Sequence, residues 1–142
     1  MDSAPQEARL IRTAREVNDS KPDFVVAKVK EAAARFKEPK IACLGLSYKP
    51  DIDDLRESPA VKIVEKLLID KVGRIFVVEP YLKQLPETFY QFGNPKLADL
   101  ELSLKESDIV VMLVNHYLFN HRINSLMLKE KVFIDTRGVH ID

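Results

Sequence analysis

Four short, uninterrupted apolar runs constrain this chain more than anything else in it: Ile41-Ala42-Cys43-Leu44, Ile75-Phe76-Val77-Val78, residues 109–114 and Val132-Phe133-Ile134. A strand with one wet face alternates apolar and polar residues. A run without alternation is covered on both faces, which is the condition of a parallel sheet with helices above and below it. Between the first two runs lies a clear helix. Ser58 stands as N-cap and Pro59 as the first helical residue; Val61, Ile63, Val64, Leu67 and Leu68 supply an inward face, and Gly73 ends the connection. A weaker strand at Lys96-Leu97, a short helix over 99–105 and a less regular crossover over 116–128 extend the same pattern. The expected fold class is α/β, a doubly wound parallel sheet of about five strands ordered 3-2-1-4-5, as in the mononucleotide-binding half of a Rossmann-like fold.

Upstream of Lys40 the periodicity is helical. Leu10, Ile11, Ala14 and Val17 mark one face of a first helix that breaks at Asn18-Asp19-Ser20. A second begins at Pro22, with Val25, Val29, Ala32 and Phe36 as its apolar stripe and Lys28, Lys30, Glu31 and Lys37 on the solvated side. A boundary near Glu38-Pro39 divides a helical segment, 1–38, from an α/β domain, 39–142. Two such helices have no core of their own and pack either on the following domain or on another chain, the second being expected.

Composition narrows the partners. The 142 residues are 46% apolar, enough for one compact core, and Lys plus Arg equals Asp plus Glu at 22 each, so no global field draws the chain to nucleic acid or to an anionic membrane. No apolar run approaches the roughly 20 residues needed to cross a bilayer. The start Met-Asp-Ser-Ala-Pro-Gln-Glu lacks the basic and apolar regions of a secretory signal, and the single Cys43 forms no internal disulfide, so a cytoplasmic setting is expected.

Open α/β sheets bind ligands beyond the carboxyl ends of their strands, where the strand order reverses. The loop after the first run carries Tyr48, Lys49 and Arg56; later loops open at Glu79-Pro80, at Asn115-His116 and at Asp135-Thr136-Arg137-Gly138. Lys49 and Arg137 could converge on one phosphate or pyrophosphate, Arg with bidentate geometry, while Tyr48 offers a flat surface for a base or sugar. Taken singly each cation is an ordinary solvated side chain, and Asp53, Asp54, Arg56 and Glu57 could be a loop ion-pair cluster worth roughly 0–1 kcal/mol per exposed pair. Their coincidence at one sheet edge favours the anion site.

Other chemistries fail on spacing. Gly45, Gly73, Gly93 and Gly138 are too far apart for G-x-G-x-x-G, so this chain is not expected to hold NAD by itself, and Glu79 is expected to cap a loop rather than bind a ribose. Gly45-Leu46-Ser47-Tyr48-Lys49 lacks the last Gly of G-x-S-x-G, so Ser47 is not read as a nucleophile. His116 and His121 lack the spacing and glutamate of H-E-x-x-H, no C-x-x-C occurs, and no metal site is expected. Cys43, inside an apolar run, is read as packing.

The wording G-L-S-Y-K-P-x-x-D-D-L-R-E-S-P over 45–59 resembles the signature of the UDP-binding domain in the nucleotide-sugar 6-dehydrogenases, the UDP-glucose/GDP-mannose dehydrogenase family. Residues 8–19 with Lys21-Pro22 resemble the end of that family's central helical domain. Val77-Val78-Glu79-Pro80, Gln84-Leu85-Pro86, residues 111–116 and Ile134-Asp135-Thr136-Arg137-Gly138 are similar to its later blocks, the first two favouring the N-acetylmannosamine branch. The resemblance implies an enzyme with an N-terminal NAD-binding domain, a central helical region that forms a homodimer, and a C-terminal domain that closes over the UDP-sugar. Such enzymes oxidise the sugar C6 alcohol through an aldehyde to a carboxylate, passing two hydrides to two NAD and using a Cys thiohemiacetal. By the same resemblance Tyr48, Lys49 and Arg137 contact the UDP-sugar and Arg56 reaches the NAD cofactor. No catalytic residue falls in this stretch, which is expected to be inactive alone, and the homodimer is expected through the N-terminal helices. Two other readings are a stand-alone UDP-binding or dimerisation module, and an unrelated receiver-like domain, which would need an acidic pocket that is missing at the first strand end.

Overall fold

The computed structural model describes residues 10–12, 22–47, 55, 58–114, 116–123 and 127–136. Among them, six parallel strands form one sheet: β1 (Leu10–Arg12), β2 (Lys40–Leu44), β3 (Arg74–Val78), β4 (Lys96–Leu97), β5 (Ile109–Met112) and β6 (Val132–Asp135). Their order is β1-β6-β5-β2-β3-β4. The five strands read from the sequence thus stand in the expected order, and β1 adds an edge beyond β6.

Strand alternation divides the core into two layers, since successive side chains point to opposite faces. Ile41, Cys43, Ile75, Val77, Ile109, Val111 and Ile134 meet helices α1 (Pro22–Ala33) and α2 (Pro59–Ile69) on one face. Ala42, Leu44, Val110, Met112 and Phe133 meet α3 (Leu100–Glu106) and α4 (Tyr117–Arg122) on the other. Both faces of the central strands are therefore dry, which is why those runs carry no polar residue.

Caps follow from the sequence. Ser58 accepts from the Ala60 amide, with Pro59 filling the first helical position, where its missing N–H costs nothing. Asp99 accepts from the Leu102 amide at the start of α3.

Two expectations are corrected. Residues Leu10–Arg12 form a strand, not part of a helix, and pair in parallel with β6 in the register Leu10↔Phe133, Ile11↔Ile134, Arg12↔Asp135. An isolated short helix has a costly nucleus, whereas an exposed strand edge supplies backbone partners at once. The continuation of the expected first helix lies outside the described residues. The second helix forms as read, but Val25, Val26, Val29, Ala32 and Ala33 are buried against this chain's own sheet and α2, so its apolar face does not await another chain. Phe36 packs on the same core from the turn after the helix.

Candidate functional site

The strand order reverses between β2 and β5, so the loops leaving those two strands form the crevice of the sheet's carboxyl edge. They are held close. The Gly45 amide donates to Val78 O at 2.8 Å, while the Leu113 and Val114 amides both reach Leu44 O, at 2.9 and 3.0 Å. Gly45 has φ +98°, and a Cβ there would stand 2.5 Å from Val114 Cβ and 2.9 Å from Val114 O. Only glycine allows this backbone approach without strain.

One carboxylate ties three of the edge loops together. Glu79 follows β3 directly; its Oε1 accepts from the Leu46 amide (2.8 Å), the Ser47 amide (3.2 Å) and His116 Nε2 (2.8 Å), and its Oε2 accepts from the Tyr81 amide (3.1 Å). Glu79, Ser47 and His116 are all buried. The His116 ring is held edge-on between Tyr81 and Phe119, with ring centroids 5.0 and 5.4 Å away. Burial pushes the Glu79 carboxyl up, but the His116 hydrogen bond and those from the Leu46 and Tyr81 amides outweigh it, and the group is held below the usual carboxylate range.

This geometry decides two points of chemistry. Ser47 Oγ lies 3.3 Å from His116 Nε2, the same nitrogen that meets Glu79, so the imidazole cannot relay a proton from serine to acid through opposite nitrogens. Ser47, buried as well, has no nucleophile's setting. In a dinucleotide site the first loop's amides face a pyrophosphate and the acid after the next strand takes a ribose. Here the Leu46 and Ser47 amides and the Glu79 carboxylate satisfy one another, so the residues present do not fit NAD in that position. Glu79 caps loops, as the sequence reading expected.

Tyr48, Lys49, Arg56 and Arg137, the binding residues implied by the resemblance, lie outside the described residues. The stems of their loops are described. Ser58 Oγ donates to Leu46 O at 2.6 Å, with Ser47 O at 3.3 Å, so the described residues on either side of the segment 48–57 are joined. Thr136 Oγ1 donates to Met112 O at 2.6 Å and anchors the chain just before Arg137 to the end of β5. Both stems rise from the same edge, on strands β2 and β6 that flank β5. A cleft of about 370 Å³ opens past the ends of β3 and β4, between Glu79, Pro80, Leu82, Ala98, Phe119 and Arg122. Among the described residues no three His, Cys, Asp or Glu side chains gather as a metal site would require, and no helix is long and apolar enough to cross a membrane.

The partnership of Glu79 with His116 was not read from the sequence. Its signal is positional: both are polar residues just past the carboxyl ends of apolar strands, where an open α/β sheet gathers its loops.

The family model described as the UDP-binding domain of the UDP-glucose/GDP-mannose dehydrogenase family matches residues 42–141. This chain belongs to that family. It is 51% identical over 139 residues to an NDP-N-acetyl-D-galactosaminuronic acid dehydrogenase of Ralstonia nicotianae, covering 98% of this chain and 32% of that protein. It is 55% identical over 115 residues to a UDP-N-acetyl-D-mannosamine dehydrogenase of Campylobacter jejuni, covering 81% of this chain and 28% of that one. Among solved structures, the UDP-N-acetyl-mannosamine dehydrogenase of S. aureus superposes with a TM-score of 0.68 at 26% identity, covering 90% of this chain and 30% of that one. The chain thus spans just under a third of the length of these relatives.

Proposed function

We propose that this chain supplies the nucleotide half of the substrate site in an NAD-dependent nucleotide-sugar 6-dehydrogenase, acting on UDP-N-acetyl-D-mannosamine and giving UDP-N-acetyl-D-mannosaminuronate. The observation that carries the reading is the placement of the loop stems. The 48–57 loop and the chain before Arg137 are anchored at one edge, on either side of the β5 exit. In this reading Lys49 and Arg137 hold the diphosphate, Tyr48 packs on the base or sugar, and Arg56 reaches toward NAD bound by another part of the parent enzyme. Such a division is chemically sound: hydride transfer needs C6, nicotinamide and thiol in near-attack geometry, while remote binding of UDP supports turnover as well as affinity.

The segment 1–38 then links this domain to a central helical region of the parent enzyme, which works in the cytoplasm as a homodimer. Because α1 spends its apolar face inside this chain, the dimer contact involves other parts of the protein. The two relatives' names differ in the sugar, so the assay compares UDP-N-acetylmannosamine with UDP-N-acetylgalactosamine in a dehydrogenase carrying this domain. Faster NADH formation with the former supports the reading, and preference for the latter overturns the sugar assignment. In the same enzyme Lys49→Ala raises KM for the UDP-sugar and lowers kcat, whereas Arg56→Ala mainly raises KM for NAD. Unchanged kinetics in Lys49→Ala would reject its role.

A further inference from the structure

Glu79 is not among the residues that the family resemblance assigns to substrate or cofactor, yet among the described residues its carboxylate gathers four donors at the sheet's carboxyl edge. A residue that only capped its own loop would need the Tyr81 amide alone. Three of its donors instead come from 32, 33 and 37 residues away, on the loops that leave β2 and β5. Burying a carboxylate is expensive, and an apolar side chain commonly stabilises such a position as well or better; a fully satisfied buried polar network is better suited to specifying one geometry. What it specifies here is the entry of the 48–57 loop. The last latched amide, Ser47, directly precedes Tyr48, and Lys49 follows.

We propose that Glu79 and His116 form a positioning latch for the nucleotide-binding loop: the carboxylate fixes the Leu46 and Ser47 amides against the β5 exit and so sets where Tyr48 and Lys49 present themselves to a nucleoside diphosphate. This inference rests on the nucleotide reading above. Ser58 holds the loop's exit to the same Leu46 through its carbonyl, so entry and exit share one reference point. His116 braces the carboxylate from the β5 side, its ring confined by Tyr81 and Phe119. Neither residue touches the ligand in this scheme; both act through the backbone they hold.

The test uses this chain with three substitutions. Glu79→Gln keeps the shape and one acceptor oxygen but removes the charge and the second acceptor. His116→Gln keeps an N–H donor near the position of Nε2. Ile63→Val, in α2, removes one buried methyl from the core and none of the groups that bond Glu79. Amide hydrogen exchange is measured at Leu46 and Ser47 and, for comparison, at Ala42 and Cys43 in β2; UDP affinity is measured by calorimetry. In Glu79→Gln the latched amides are expected to exchange at least tenfold faster with β2 unchanged, and UDP affinity to fall about tenfold. His116→Gln should keep UDP affinity within about threefold, and Ile63→Val should leave it unaltered.

Unchanged exchange in Glu79→Gln overturns the latch. Faster exchange with unchanged UDP affinity overturns the positioning role, as does an equal loss of affinity in Ile63→Val. If the unsubstituted chain does not bind UDP, the nucleotide reading fails, and the exchange data still decide whether the latch exists. Should Glu79→Gln not fold, His116→Ala, which removes the donor to the Glu79 carboxylate, carries the same measurements. Faster exchange at Leu46 and Ser47 with weakened UDP binding supports the latch, and exchange like that of the unsubstituted chain overturns it.

Discussion

Gly45→Ala should be among the most damaging single-methyl additions available to this chain. The residue sits at φ +98°, a conformation that costs a non-glycine residue about 1–3 kcal/mol. The added Cβ would also meet Val114 Cβ at 2.5 Å and Val114 O at 2.9 Å. Those contacts are the β carbon and backbone of a neighbouring segment, not the far end of a flexible side chain, so relief requires moving the β5 exit, at about 1–3 kcal/mol for overpacking. Reduced freedom of the unfolded chain returns about 0.4–1 kcal/mol. The net loss is roughly 2–5 kcal/mol, a large share of the roughly 5–15 kcal/mol that stabilises a typical domain. Urea denaturation reads it directly: with a slope of about 2 kcal/mol per molar, the midpoint should fall by roughly 1–2.5 M with the slope unchanged. Gly93→Ala is the control, because its Cβ would lie 3.4 Å from the mobile end of Leu68 and should cost under about 0.5 kcal/mol. If Gly45→Ala lies as close to the unsubstituted chain as Gly93→Ala, the close approach of the two edge loops is wrong.

Three further outcomes follow from the same geometry. Burial pushes the Cys43 thiol up to about 12, so a thiol reagent near neutral pH should leave the native chain untouched and modify one group on unfolding; rapid native reaction would contradict the buried central strand. Glu79 is held below its unfolded value near 4.3, so its contribution to stability is present above that pH and is lost as pH falls through the folded value. The midpoint difference between the unsubstituted chain and Glu79→Gln should therefore shrink on acidification below about pH 4, and a constant difference would refute the charged latch. Ser58→Ala removes both the cap on α2 and the donor to Leu46 O, and should cost roughly 2 kcal/mol in urea denaturation.

The sheet was legible because local rules and global fold agree there. Continuous runs such as 109–112 become central strands, and Ser58-Pro59 starts a helix by capping and ring geometry that act within three residues. Leu10–Arg12 misled because helical spacing and a two-residue apolar run look alike over so short a stretch, and what decides is β6, more than 120 residues away. The stripe of α1 was legible, but not its partner, since amphipathicity shows that a face is buried and not against what. In the site, Gly45 and Glu79 are legible only singly. Their joint meaning required distances: Val114 against Gly45, and His116 with two amides around Glu79. Side chains 32–37 residues apart leave no spacing signature.

A calorimetric titration of the chain with UDP, alongside Lys49→Ala and Arg137→Ala, decides whether this domain is a nucleotide half-site. Saturable binding that weakens at least tenfold in both variants is the predicted result, since each removes a cation placed on the diphosphate. Absence of binding by the unsubstituted chain, or binding indifferent to both substitutions, would contradict it.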